Sequence, residues 1–97
     1  MINTDFFIIE LLVRNHPGVM SHITGLFARR AFNLEAILCS QTGDGSTSKM
    51  FLLVENNSAL DQVIKQLEKL YDVLKVSVHC DYDKSVFENL DDVLKIR

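Results

Sequence analysis

The chain has 97 residues, 47% of them hydrophobic, and a formal net charge of −3. That length makes one domain with a modest core. The acidic balance and the scattered basic residues leave no footprint for nucleic acid, and no apolar run is long enough to span a bilayer.

Met1 to Asp5 carries no basic region ahead of the first apolar run, so no signal peptide is expected and a cytoplasmic protein is. Cys39 and Cys80 form no C-x-x-C pair and read as reduced core thiols. Phe6 to Arg14 is rich in Phe, Ile, Leu and Val and predicts a buried central strand. Asn15-His16-Pro17-Gly18 stops it, since proline cannot donate to a sheet and suits a helix start. Val19, Ile23, Leu26, Phe27 and Arg30 then recur at steps of three and four, predicting a helix over Val19 to Ala31. Asn33 is the expected stop.

Asn33 to Gln41 predicts a second strand and Lys49 to Glu55 a third, joined by a turn around Asp44-Gly45. Ser58 and Asp61 resemble a capping box. Leu60, Val63, Ile64, Leu67 and Leu70 trace one helical face behind it, up to Tyr71. Val73 to Cys80 alternates Leu74, Val76 and Val78 with Lys75, Ser77 and His79, as a half-buried fourth strand does. The order β-α-β-β-α-β predicts an α+β, ferredoxin-like domain over residues 1–80, a four-stranded antiparallel sheet with two helices on one face. Residues 81–97 form a C-terminal tail. Ser85 and Glu88 suggest a capping box there, and Val86, Leu90 and Leu94 a short amphipathic helix. The long apolar runs exceed what one small sheet covers, so a paired domain is expected.

The chemistry gathers where the first strand meets the first helix. A helix start offers unpaired N–H groups and partial positive charge, hence an anion site. Gly18 admits a ligand close to the main chain, and Asn15 supplies both a donor and an acceptor. These parts suit an α-amino acid. Its carboxylate would meet the N–H groups around Gly18 and Val19, and its ammonium the carbonyls near Asn15. Val19, Met20 and Leu34 are candidates to enclose its side chain. Asn33 is a candidate to approach from a paired copy. His16 could touch the ligand, while His16, His22 and His79 otherwise take surface or turn roles without metal-ligand spacing. On the residues alone, shaping a turn is the stronger role for Asn15 and Gly18, and a helix exit for Asn33. A Gly18→Asp change should repel the ligand carboxylate yet spare the fold, provided Gly18 keeps a negative φ.

Arg14-Asn15-His16-Pro17-Gly18-Val19-Met20 and Gly25 through Glu35, GLFARRAFNLE, resemble the opening of the ACT domain in acetolactate (acetohydroxyacid) synthase small subunits. The likeness continues through Phe51-Leu52-Leu53-Val54 and Leu67 to Val73, about residues 6 to 80. The chain ends without the second domain of longer small subunits and in this is similar to the short isozyme I type. The resemblance implies a non-catalytic regulatory subunit that binds valine or another branched-chain amino acid. It implies a homodimer whose sheets join side by side with the effector at the interface, Asn15 and Gly18 of one copy facing Asn33 of the other; the effector-binding candidates are Asn15, His16, Pro17, Gly18, Val19, Met20, Asn33 and Leu34. It further implies feedback inhibition, and activation, of a separate catalytic subunit that holds thiamine diphosphate, Mg²⁺ and FAD. No cofactor or catalytic residue is expected in this chain.

Three rivals share the order or the site. A free-standing ACT sensor would lack the catalytic partner. An acylphosphatase-like phosphohydrolase would use Arg14 with Asn33, though the glycine-rich anion loop of that family is absent. An RNA-recognition module would need exposed aromatics and a basic face, which Phe51 on an acidic chain does not supply.

Overall fold

The structure, a computed structural model, describes residues 6–82 and 89–96. The elements are β1 (Phe6–Arg14), α1 (Val19–Arg29), β2 (Leu34–Thr42), β3 (Thr47–Glu55), α2 (Leu60–Lys69), β4 (Val73–Tyr82) and a short α3 (Leu90–Leu94). The four strands form one antiparallel sheet in the order β2-β3-β1-β4. The most apolar strand is therefore central, paired with β3 from Phe6↔Glu55 to Arg14↔Thr47 and with β4 on its other side. β2 and β4 are the edges.

Period-two alternation sends Ile9, Leu11 and Val13 of β1 and Met50, Leu52 and Val54 of β3 to one face. There they meet Val19, Ile23, Leu26 and Phe27 of α1 and Leu60, Val63 and Leu67 of α2 in one buried cluster. On the opposite face Ile8 and Leu53 are also buried. Glu10 on that face pairs with Lys49 at 3.0 Å and His79 at 2.8 Å. The His79 hydrogen bond, then that of Lys49, holds the Glu10 carboxyl below its usual value. An open cleft of about 230 Å³ runs beside it over Leu12, Thr42, Lys49, Lys75 and Ser77.

Several boundaries differ from the sequence reading for identifiable reasons. α1 ends at Arg29 rather than Ala31, and Asn33 is not its stop. Phe32 N–H donates to the Phe27 carbonyl (2.9 Å) and Ala31 N–H to the Ala28 carbonyl (3.0 Å), while Ala31 is left-handed at φ +54. This is a Schellman ending. Its usual hydrophobic contact is the edge-to-face pair of Phe27 and Phe32, 5.8 Å apart. The Ser58–Asp61 capping box does not form. Ala59 is the N-cap of α2, without a side-chain cap, and its N–H is taken at 2.7 Å by Asn57 Oδ1. Asn57 wins because its side chain reaches the amide two residues on. β2 starts at Leu34 and runs to Thr42, β3 begins two residues early at Thr47, α2 stops at Lys69 and β4 runs on to Tyr82. Cys39 and Cys80 are exposed free thiols, not core residues, because both sit on edge strands. The Ser85–Glu88 box lies outside the described residues. α3 is present, with Val93, Leu94 and Ile96 exposed.

Ala31 occupies the position where glycine is normally found, and a left-handed L-residue costs about 1–2 kcal/mol. Ala31→Gly is expected to raise stability by roughly 1 kcal/mol, since glycine's extra unfolded-state entropy offsets part of the relief. A urea unfolding midpoint that moves upward with an unchanged slope is the expected readout.

Candidate functional site

The site is built at the end of β1. Arg14 N–H donates to the Asp72 carbonyl (2.8 Å) and Asn15 N–H to the Ser46 carbonyl (3.0 Å). Asn15 Nδ2 donates to the Gly45 carbonyl at 2.8 Å. The loop between β1 and α1 is thus tied to the β2–β3 turn on one side and to the α2–β4 turn on the other. The Asn15 side-chain oxygen keeps its acceptor capacity.

Gly18 is the N-cap of α1, at φ +91 and ψ −9, and no side chain caps the helix. Val19 N–H turns back to the His16 carbonyl at 3.3 Å. Among the described residues, the N–H groups of Gly18, Met20 and Ser21 have no partner. No acidic residue stands in the first turn. These donors and the helix dipole favour an anion. His16, Pro17, Gly18 and Met20 are exposed, so the loop is open on one side. Val19 packs its side chain into the core.

A charged cluster stands directly behind the loop. Asp72 is buried, with 7% of its surface exposed. His16 Nε2 is hydrogen-bonded to its Oδ1 at 2.7 Å and His22 Nδ1 to its Oδ2 at 3.2 Å. His16 Nδ1 lies 2.6 Å from the Pro17 carbonyl. The hydrogen bond to Asp72, then that to Pro17, holds the His16 pKa above the usual histidine value. The same bond from His16 holds Asp72 below the usual carboxylate value, against the effect of burial. Arg14 stacks its guanidinium 4.3 Å from the Tyr71 ring centroid and donates from Nε to the Tyr71 carbonyl. Neither Asp72 nor His22 figured in the sequence reading of the site. The available signal was that Asp72 lies inside the Leu67 to Val73 stretch of family likeness without a helical task.

The structure brings Asn15 to Met20 together but places Asn33 and Leu34 elsewhere. Thr42, at one end of β2, adjoins the turn that Asn15 grips; Leu34 is at the other end, facing Val54 of β3. The nine residues of β2 extend about 27 Å at ~3.4 Å per step. Asn33 is exposed, and its Nδ2 donates to Glu35 Oε2 at 2.9 Å. The same separation parts Arg14 from Asn33, which removes the geometric basis of the acylphosphatase alternative. Among the described residues no cluster of His, Cys, Asp and Glu could hold a metal ion. No helix among them is long and apolar enough to cross a membrane.

This sheet order, with two helices on one face and an open loop at the first helix start, is the ferredoxin-like arrangement that ACT domains adopt. The chain belongs to the AHAS small subunit-like ACT domain family, whose profile matches residues 9–75. It is 57% identical over 72 residues to the acetolactate synthase isozyme 1 small subunit of Escherichia coli K12, covering 74% of this chain and 75% of that one. It is 44% identical over 70 residues to a probable acetolactate synthase small subunit of Archaeoglobus fulgidus, covering 71% of this chain and 44% of that one. A solved structure, the acetolactate synthase small subunit of Thermotoga maritima, superposes with a TM-score of 0.68 at 34% identity. That match covers 75% of this chain and 46% of the other.

Gly18 is left-handed, so Gly18→Asp cannot be assumed to spare the fold. A Cβ there would meet no heavy atom within 4 Å, so the cost is backbone strain rather than a clash. Stability is expected to fall in the order Gly18, Gly18→Asn, Gly18→Ala. The alanine variant should lose about 1–2 kcal/mol, and asparagine less because it tolerates this conformation. Equal losses in thermal unfolding would place the cost in side-chain packing instead.

Proposed function

We propose that this chain is a regulatory subunit of acetolactate synthase that binds a branched-chain amino acid, valine, between two copies of itself. Bound valine confers feedback inhibition, and the subunit also activates, a separate catalytic subunit in branched-chain amino acid biosynthesis. That cytoplasmic partner carries the thiamine diphosphate, Mg²⁺ and FAD, and this chain contributes no catalytic residue. The small-subunit names of the relatives support this reading.

The observation that carries it is the half-built site. One copy presents free N–H groups at Gly18, Met20 and Ser21, the Asn15 oxygen and the exposed Met20 side chain. It holds Asn33 and Leu34 at the far end of an edge strand. Antiparallel pairing of β2 with β2 of a second copy, centred near Leu38, would lay Leu34 of one beside Thr42 of the other. Both effector halves then meet twice, once at each end of the joined strands. Ile37 and Leu38, 37% and 40% exposed on that edge, would be covered by the same pairing.

Valine, leucine and isoleucine differ by a methylene or by branching, worth ~1–3 kcal/mol in an apolar pocket. Calorimetric titration of the chain with all three should rank valine first. Valine at a hundred times its dissociation constant should stabilise the folded dimer by ~2.7 kcal/mol. Asn15→Ala should weaken valine at least tenfold, the scale of a lost hydrogen bond to a charged group. A melting curve unmoved by millimolar valine, or a monomer in sedimentation, overturns the reading. Co-purification of a thiamine-diphosphate enzyme separates the subunit from a free-standing sensor.

A further inference from the structure

Both ring nitrogens of His16 face acceptors, a carbonyl and an ionised carboxylate. Nδ1 is 2.6 Å from the Pro17 carbonyl and Nε2 is 2.7 Å from Asp72 Oδ1. A neutral imidazole carries one N–H and can satisfy one of them. Protonating Asp72 instead is disfavoured, because the hydrogen bond with His16, and after it the one with His22 at 3.2 Å, holds its carboxyl below the usual carboxylate value despite burial. The geometry therefore calls for an imidazolium between a carbonyl and a carboxylate.

The Pro17 carbonyl belongs to the Pro17–Gly18 peptide. That unit is planar and trans, so holding its oxygen against His16 aims the Gly18 N–H the opposite way. Gly18 N–H is one of the unpaired donors at the start of α1. We propose that His16, clamped as an imidazolium between Pro17 and Asp72, is a positioning residue that fixes this donor and makes effector binding proton-coupled. The effector part rests on the function proposed above; the clamp itself does not.

The charged and titratable groups around His16 come from three elements. Asp72 of the α2–β4 turn attracts its charge, Arg14 of β1 opposes it, and His22 of α1 stands edge-on with ring centroids 6.4 Å apart. The raised pKa of His16 sets the sign. The clamp is complete below about pH 6.5, the ordinary histidine value. It is lost as pH rises through the higher folded value. On the acid side it is lost only when pH falls through the lowered Asp72 value. Loss of the proton turns one short contact into two facing lone pairs, so the ring or the loop must move.

The test follows the full chain by NMR and calorimetry from about pH 5.5 to 8.5. His16 should titrate above ~6.5, and the Gly18 amide shift should follow the same midpoint. Valine affinity should weaken about tenfold across it, the loss expected for one charge-assisted hydrogen bond. Asp72→Asn should lower the His16 midpoint. His16→Gln, which keeps a donor without the titration, should flatten both the amide and affinity profiles if Asp72→Asn does not fold. A Gly18 amide indifferent to His16 titration overturns the clamp. Valine affinity constant across the midpoint overturns the coupling. If no branched-chain amino acid binds at any pH while the Gly18 amide still follows His16, the effector reading falls and the clamp stands.

Discussion

Two main-chain hydrogen bonds at the end of β1, from Arg14 to Asp72 and from Asn15 to Ser46, bring three separate connections to one corner of the sheet. β1 is paired along both sides, so its last residues cannot shift without disturbing two ladders. The loop that follows inherits that rigidity. Its glycine, its unpaired amides and its asparagine are held against a fixed frame, with the β2–β3 turn on one side and the α2–β4 turn on the other. Binding a small zwitterion through main-chain donors calls for such a frame, because a loop that had to be ordered first would lose affinity to entropy.

Much of this was legible in the sequence. The apolar Phe6 to Arg14 run is the central strand, the steps from Val19 to Phe27 bury the predicted face, and the residues near Asp44-Gly45 turn the hairpin. What escaped were details decided by short-range competition. Asn57 took the amide that the Ser58 box was expected to organise. Ala31 took a left-handed ending that residue statistics assign to glycine or asparagine. The thiols were misplaced because hydrophobic character says nothing about whether a strand is an edge.

At the site, the stretch from Asn15 to Met20 was readable because it is contiguous and marked by Pro17 and Gly18. The cluster of His16, His22 and Asp72 was not, since its carboxylate comes from 50 residues beyond His22. No local periodicity records such a meeting. Asn33 illustrates the complementary limit. Its residue type made it a candidate for the site, yet within one copy it stands at the far end of β2 from the loop. Only a second copy could bring it beside the loop, as in the pairing proposed above, and a single sequence carries no mark of such symmetry.

The two edges of the sheet are also unequal in what they invite. β2 spans nine residues without a lysine, arginine or proline, the usual guards of an open edge. Joined to its own image about a two-fold axis, it is used up on both sides and growth stops. Joined instead to β4 of a neighbour, it would leave a fresh β2 exposed after every addition, and the product would be a filament without end. β4 carries two register shifts against β1, between Phe6 and Ile8 and between Leu12 and Val13. Such irregularities kink and twist an edge, so β4 is a poor template for a straight incoming strand. Those two shifts therefore act against head-to-tail pairing of β2 with β4, and a variant that straightened β4 would lower that barrier.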